Sequence, residues 1–84
     1  METIKSAAVR DQRGKVHTLP PPAHHKHILK MLKDDGWPVK DITKGFLTSE
    51  GRFVGREQGG RIALRAQQAT RLREFPDLHS GDMW

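Results

Sequence analysis

Two short turns limit what this chain can fold into more than any other feature. Residues 11–14, "DQRG", lie between the run Ile4–Arg10 and "KVHTL", and residues 48–51, "TSEG", lie between "GFL" and "RFV". Each turn closes on a glycine, Gly14 or Gly51, and glycine takes up positive φ without steric cost. A Gly-closed turn between short apolar runs predicts a β-hairpin. Two hairpins are therefore expected, one near each end of the first fifty-odd residues.

The segment after each hairpin has helical periodicity. Pro20, Pro21 and Pro22 cannot donate to a ladder and end the first hairpin, and proline suits the first turn of a helix. From Ala23 to about Lys33, His25, Ile28, Leu29 and Leu32 recur at spacings of three and four, and Gly36 marks the stop. The connecting segment "WPVKDIT" offers Trp37, Val39 and Ile42 to cover an edge of the core. After the second hairpin, Ile62, Ala66 and Ala69 share one side of a helix expected over residues 56 to about 69. Gly59 and Gly60 cost this helix about 1 kcal/mol each relative to Ala, which predicts a frayed first turn. Phe75, Leu78, Met83 and Trp84 give the tail enough apolar surface to pack back.

The expected fold is α+β, a single domain over residues 1–84 in the order ββαββα, with an antiparallel sheet carrying both helices on one face. The halves overlay with Gly14 on Gly51, and with Lys15 and Val16 on Arg52 and Phe53. This is a faint pseudo-repeat of a unit that also recurs by chance. With 35% hydrophobic residues in 84, the core is small, and a partner or a homodimer would add stability. Without cysteine there is no disulfide framework and no thiolate chemistry. The apolar runs are only a few residues long, too short for a membrane span or a signal-peptide core.

Charge is unevenly placed. Residues 52–73 hold Arg52, Arg56, Arg61, Arg65, Arg71 and Arg73 against Glu57, a local net of 6 − 1 = +5, which equals the formal charge of the whole chain. The remaining basic and acidic side chains cancel. Such asymmetry points to an anionic partner. On a helical wheel Arg61, Arg65 and Gln68 lie together, about 100° from the Ile62 face, with Arg71 further round. Arg73 is expected near the buried side, snorkelling outward. Trp37, Phe46 and Phe53 are expected to serve the core.

Candidate chemistry is sparse. "HHKH" places His24 and His27 at i and i+3, a spacing that can share a metal ion, but two further ligands would have to come from His17, His79 or Asp82. His25 instead falls on the apolar face, where a packed and hydrogen-bonded ring is expected. "HSGD" (residues 79–82) is a chance-level His and Asp combination, and no phosphate loop, nucleophile elbow or paired carboxylate is found. The expectation is a protein with no catalytic residues, no cofactor and no metal.

"GFLTSEGRFVGREQGGRIALRAQQ" and the ending "HSGDMW", together with "AAVRDQRGKVHTLP" and the His24 and His25 pair, resemble a group of small phage and prophage proteins. These carry a Gly-Phe-x-Thr-Ser-x-Gly-Arg-Phe-Val hairpin, an Arg-led helix and a terminus of the form Ser-x-Asp-x-Trp. The sequence departs from that pattern at Gly55, at Gly59 and Gly60, and at Gly81, each change removing negative charge or helix propensity. The resemblance implies a phage-encoded, non-enzymatic binding protein of the host bacterial cytoplasm that antagonises a defence complex, as anti-CRISPR proteins do. Arg52, Arg56, Arg61, Arg65, Gln68 and Arg71 are then the candidate partner-binding residues. The alternative is direct binding of DNA or RNA, since guanidinium groups bind phosphates bidentately; the lack of tyrosine and of any RRM, KH or zinc-finger signature weighs against it.

Overall fold

The computed structural model describes residues 1–84. In chain order it contains β1 (Ile4–Arg10), β2 (Val16–Thr18), α1 (His25–Asp34), β3 (Thr43–Thr48), β4 (Phe53–Gly55) and α2 (Arg56–Arg65), then a 3-10 turn at Ser80–Asp82. Both expected hairpins form, with Gly14 at φ 88° and Gly51 at φ 79°. They join through their longer strands, because β1 also pairs antiparallel with β3. The sheet order is therefore β2-β1-β3-β4, and the fold is the α+β arrangement ββαββα.

Register sets which side chains meet the helices. Ala7, Phe46 and Val54 form one rib across β1, β3 and β4, and the pleat puts Thr48 on the same face. A bulge between Ile4 and Ser6 leaves exposed Lys5 outside the pairing, so Ile4 lies opposite Thr48 and returns to that face. The fully buried Phe46 ring meets the His25 ring of α1 edge-on at 5.1 Å, and a Cβ at Gly59 of α2 would lie 3.2 Å from Phe46 Cδ2. Both helices thus pack on this one face. Ile28 and Leu32 from α1, Ile62 and Ala63 from α2, and Leu72 and Leu78 from the tail complete the core.

Four details differ from the sequence expectation. The second helix stops at Arg65 rather than near residue 69. Ala66 is its C-cap, Gln67 turns left-handed at φ 59°, Gln67 N–H donates to the Leu64 carbonyl and Gln68 N–H to the Ala63 carbonyl. That is a Schellman motif. Helix α1 ends the same way, with Gly36 N–H on the Lys33 carbonyl and Trp37 N–H on the Leu32 carbonyl, but there glycine occupies the left-handed position. A glutamine in that position leaves no stop signal to read.

Second, Gly59 and Gly60 are buried within a formed helix, not in a frayed turn. A Cβ at Gly60 would stand 2.5 Å from the Pro76 carbonyl oxygen and 2.9 Å from Leu72 Cδ1. The tail crosses α2 so closely that no side chain fits. Third, Phe53 alternates with Val54 and projects from the opposite face of the sheet, where its ring lies over Gly45 and 5.0 Å below the Arg10 guanidinium. Fourth, Trp37 and Ile42 are half-buried against the core, but Val39 and Phe75 stay exposed, at 45% and 74%.

The two helix details predict opposite signs for two substitutions. Gly60→Ala should destabilise the fold by about 1–3 kcal/mol through overpacking, although helix propensity alone favours Ala by about 1 kcal/mol. Gln67→Gly should stabilise it by up to about 1 kcal/mol, because glycine carries no left-handed penalty. Thermal or urea unfolding of the two variants beside the parent measures both.

Candidate functional site

The candidate arginines divide into those the fold fixes and those it leaves free. Arg52, in the turn before β4, donates from Nε and Nη2 to the two carboxylate oxygens of Glu2 at 2.8 and 2.6 Å. Thr48 Oγ1 donates to the same carboxylate at 2.6 Å, and Ser49 N–H donates to the Thr3 carbonyl. Arg52 therefore ties the N-terminus to the second hairpin. The Arg52 guanidinium and then the Thr48 hydroxyl hold the Glu2 carboxyl well down, at about 2 against an ordinary 4.5.

Arg56 opens α2 half-buried. Its carbonyl accepts Leu78 N–H at 3.0 Å, its Nη1 donates to His79 Nδ1 at 3.2 Å, and its Nε is buried with no partner. His79 Nε2 meets Glu74 at 3.1 Å. Arg56 thus serves as a brace between α2 and the tail. Gln68 is placed likewise: its amide accepts Ile4 N–H at 2.7 Å and donates to the Ile4 carbonyl at 2.8 Å, satisfying β1 where β2 has already ended. Because α2 ends at Arg65, Gln68 no longer lies on a helical stripe with Arg61 and Arg65.

Arg61, Arg65 and Arg71 are the exposed remainder. Arg61 touches Glu57 at 3.8 Å with both side chains largely in solvent, a contact worth little, and Arg65 and Arg71 make no ion pair. Arg73 does not snorkel past a buried helix face; 71% exposed, it pairs with Asp82 at 3.3 Å and lies against Gly81. Burial by itself would raise the Asp82 carboxyl, but the His79 and Arg73 N–H groups and the Arg73 guanidinium outweigh it and hold it below its usual range. In "HSGD", then, Asp82 closes the 3-10 turn.

The histidines act within the fold. Buried His25 donates from Nε2 to the Gly45 carbonyl at 2.7 Å, and burial pushes its pKa down, favouring the uncharged ring. His27 Nδ1 accepts His24 N–H at the start of α1, and His17 bonds Asp11 at 2.9 Å beside Trp37. No three His, Asp or Glu side chains converge as a metal ion requires. No helix is long and apolar enough to cross a membrane.

A cluster of lysines was not evident from the running charge. Lys26, Lys30, Lys33 and Lys44 rim an open groove beside α1. The signal was present as lysines at i, i+4 and i+7, but a sum along the chain cancelled them against carboxylates such as Glu2, Asp11 and Asp82, which fold away into their own hydrogen bonds.

The Glu2 clamp has a pH signature. Its folded pKa is depressed, so its stabilisation is complete above about pH 4.5 and is lost as pH falls towards about 2. Glu2→Gln should lower the melting temperature at pH 7 and flatten its decline over that acid range. Parallel melting curves for both proteins test this.

No curated protein and no solved structure matches the chain. A family model does: the one described as the phage T4 y16D protein covers residues 3–84, from the Glu2-anchored start of β1 through both hairpins and helices to the Asp82 turn. Since that match spans nearly the whole fold, this chain belongs to the phage T4 y16D protein family.

Proposed function

We propose that this phage-family protein is a non-enzymatic binder that inhibits a bacterial defence complex in the host cytoplasm, in the manner of an anti-CRISPR protein, by docking Arg61, Arg65 and Arg71 on an acidic protein surface. The observation that carries this reading is the contrast among the arginines. Arg52, Arg56 and Arg73 are tied to Glu2, His79 and Asp82, whereas Arg65 and Arg71 have no ion-pair partner and Arg61 has only a long, solvated one. Guanidinium groups that the fold leaves unpaired can form planar, bidentate bonds with a partner's carboxylates, and arginine is prominent among residues that dominate binding energy at interfaces. Arg52 and Gln68 contribute by stiffening the surface rather than by contact.

Direct binding of DNA or RNA is the second reading, favoured by the same free guanidiniums, which suit phosphates equally well. It predicts an affinity that falls steeply with salt, by about one unit of log-log slope per phosphate neutralised.

The double variant Arg61→Glu, Arg65→Glu should leave the melting temperature nearly unchanged, as both side chains are exposed, and should reduce defence inhibition about tenfold or more in a phage-plating assay on a defended host. Full inhibition by a folded double variant would reject the arginine-docking reading. A mobility shift at low salt that this variant abolishes would favour nucleic acid instead.

A further inference from the structure

The groove beside α1 has different chemistry from the arginine edge. Lys26, Lys30 and Lys33 stand at i, i+4 and i+7 on the helix, and Lys44 of β3 completes the rim of the groove, an open depression of about 600 Å³. Its apolar lining is Leu29, Val39 and Ile42. No carboxylate lines it; Lys30 alone of the four lysines has an ion pair, an exposed one to Asp34 at 3.0 Å. Val39 keeps 45% of its surface in solvent, one of only three large apolar residues so exposed, and the other two, Met1 and Phe75, lie outside the groove.

From this we infer that the groove is a docking site for a short acidic segment of a partner protein, one that carries aliphatic or aromatic side chains between its carboxylates. An apolar anchor seated on Leu29, Val39 and Ile42 removes their methyl groups from water, and the ammonium rim meets the flanking carboxylates as point charges without demanding bidentate geometry. Nucleic acid fits less well. An aliphatic floor provides no ring on which a base could stack, and it would oppose sugar and phosphate instead of gaining apolar contact. This site is separate from the arginine edge of α2, so it stands or falls independently of the defence-inhibition reading.

The probe is a random-peptide display library selected on the full chain, with the enriched peptides titrated by fluorescence anisotropy and mapped by backbone amide NMR shifts. The expected peptides combine Asp or Glu with one or two apolar residues, and they shift the amides of α1 and residues 39–44. Val39→Asp, and separately Lys26→Glu with Lys33→Glu, should each weaken them about tenfold or more, while Arg61→Glu with Arg65→Glu should leave them unchanged. Melting curves verify that the variants, all at exposed positions, remain folded. The proposal is overturned if no peptide enriches, if selection returns basic or uncharged sequences, if the shifts map elsewhere, if folded Val39→Asp binds normally, or if duplex or single-stranded DNA displaces the peptides at lower concentration.

Discussion

The Phe46 ring governs the packing of everything around it. It rises from the centre of the sheet, fully buried, and each helix must give up something to lie against it. On the α1 side the neighbour is an imidazole, His25, whose edge meets the ring while its Nε2–H satisfies the carbonyl of Gly45, the residue preceding Phe46. A charged ring could not stay there at acceptable cost, and burial accordingly favours the neutral form. On the α2 side the neighbour is Gly59, which has no side chain to set a larger separation. The reverse face repeats the theme, because a Cβ at Gly45 would collide with the Val54 carbonyl and the Phe53 ring. At Gly45 the small residue is a steric requirement, and at Gly59 it permits a closer approach than a Cβ would comfortably allow, as expected where interiors pack about as densely as organic crystals.

The parts of the fold that could be read in the sequence are those encoded locally. Gly14 and Gly51 announced both hairpins, Gly36 announced the end of α1, and the spacing of His25, Ile28 and Leu32 gave the buried face of that helix. Long-range demands were hidden. Gly59 and Gly60 look like helix breakers until Phe46 and Pro76 are seen beside them, and the end of α2 carries no glycine because Gln67 adopts the left-handed turn itself. That turn aims Gln68 at Ile4, so a residue that looks like part of a binding stripe supplies the missing neighbour of β1. The adjacent apolar pair Phe53 and Val54 could not be assigned to faces until the register with Leu47 and Phe46 was known.

Candidate-site residues were harder to read for a related reason. Summation along the chain located an arginine-rich segment, but the ion pairs that matter most to that sum join charges where the chain returns on itself, as Glu2 with Arg52 and Arg73 with Asp82 show. Fixed pairs subtract arginines from the segment and carboxylates from the remainder. What remains is two groups of cationic side chains: Arg61, Arg65 and Arg71 on and after α2, and the lysines that rim the groove beside α1, which the linear sum had cancelled. The two differ in kind, since planar guanidiniums suit forked acceptors and compact ammonium groups above aliphatic carbon suit mixed acidic and apolar ones.

The glycines that read along the chain as departures from a phage-protein pattern take on a different meaning in three dimensions. Read along the chain, Gly55, Gly59, Gly60 and Gly81 make the second helix looser and more basic, as a surface reshaped for a partner would be. Gly59 and Gly60 instead admit Phe46 and the Pro76 carbonyl, and Gly81 leaves space for the Arg73 guanidinium on its way to Asp82, where a Cβ would meet Nη2. Gly60 is therefore a packing solution that brings the tail onto α2, Gly59 one that brings α2 onto Phe46, while Arg73 at Gly81 is an exposed, flexible neighbour and nothing near Gly55 explains the fourth. Arg61, Arg65 and Arg71 differ from these glycines in kind, since their side chains are exposed and Arg61 alone of the three has an ion pair, a long and solvated one to Glu57.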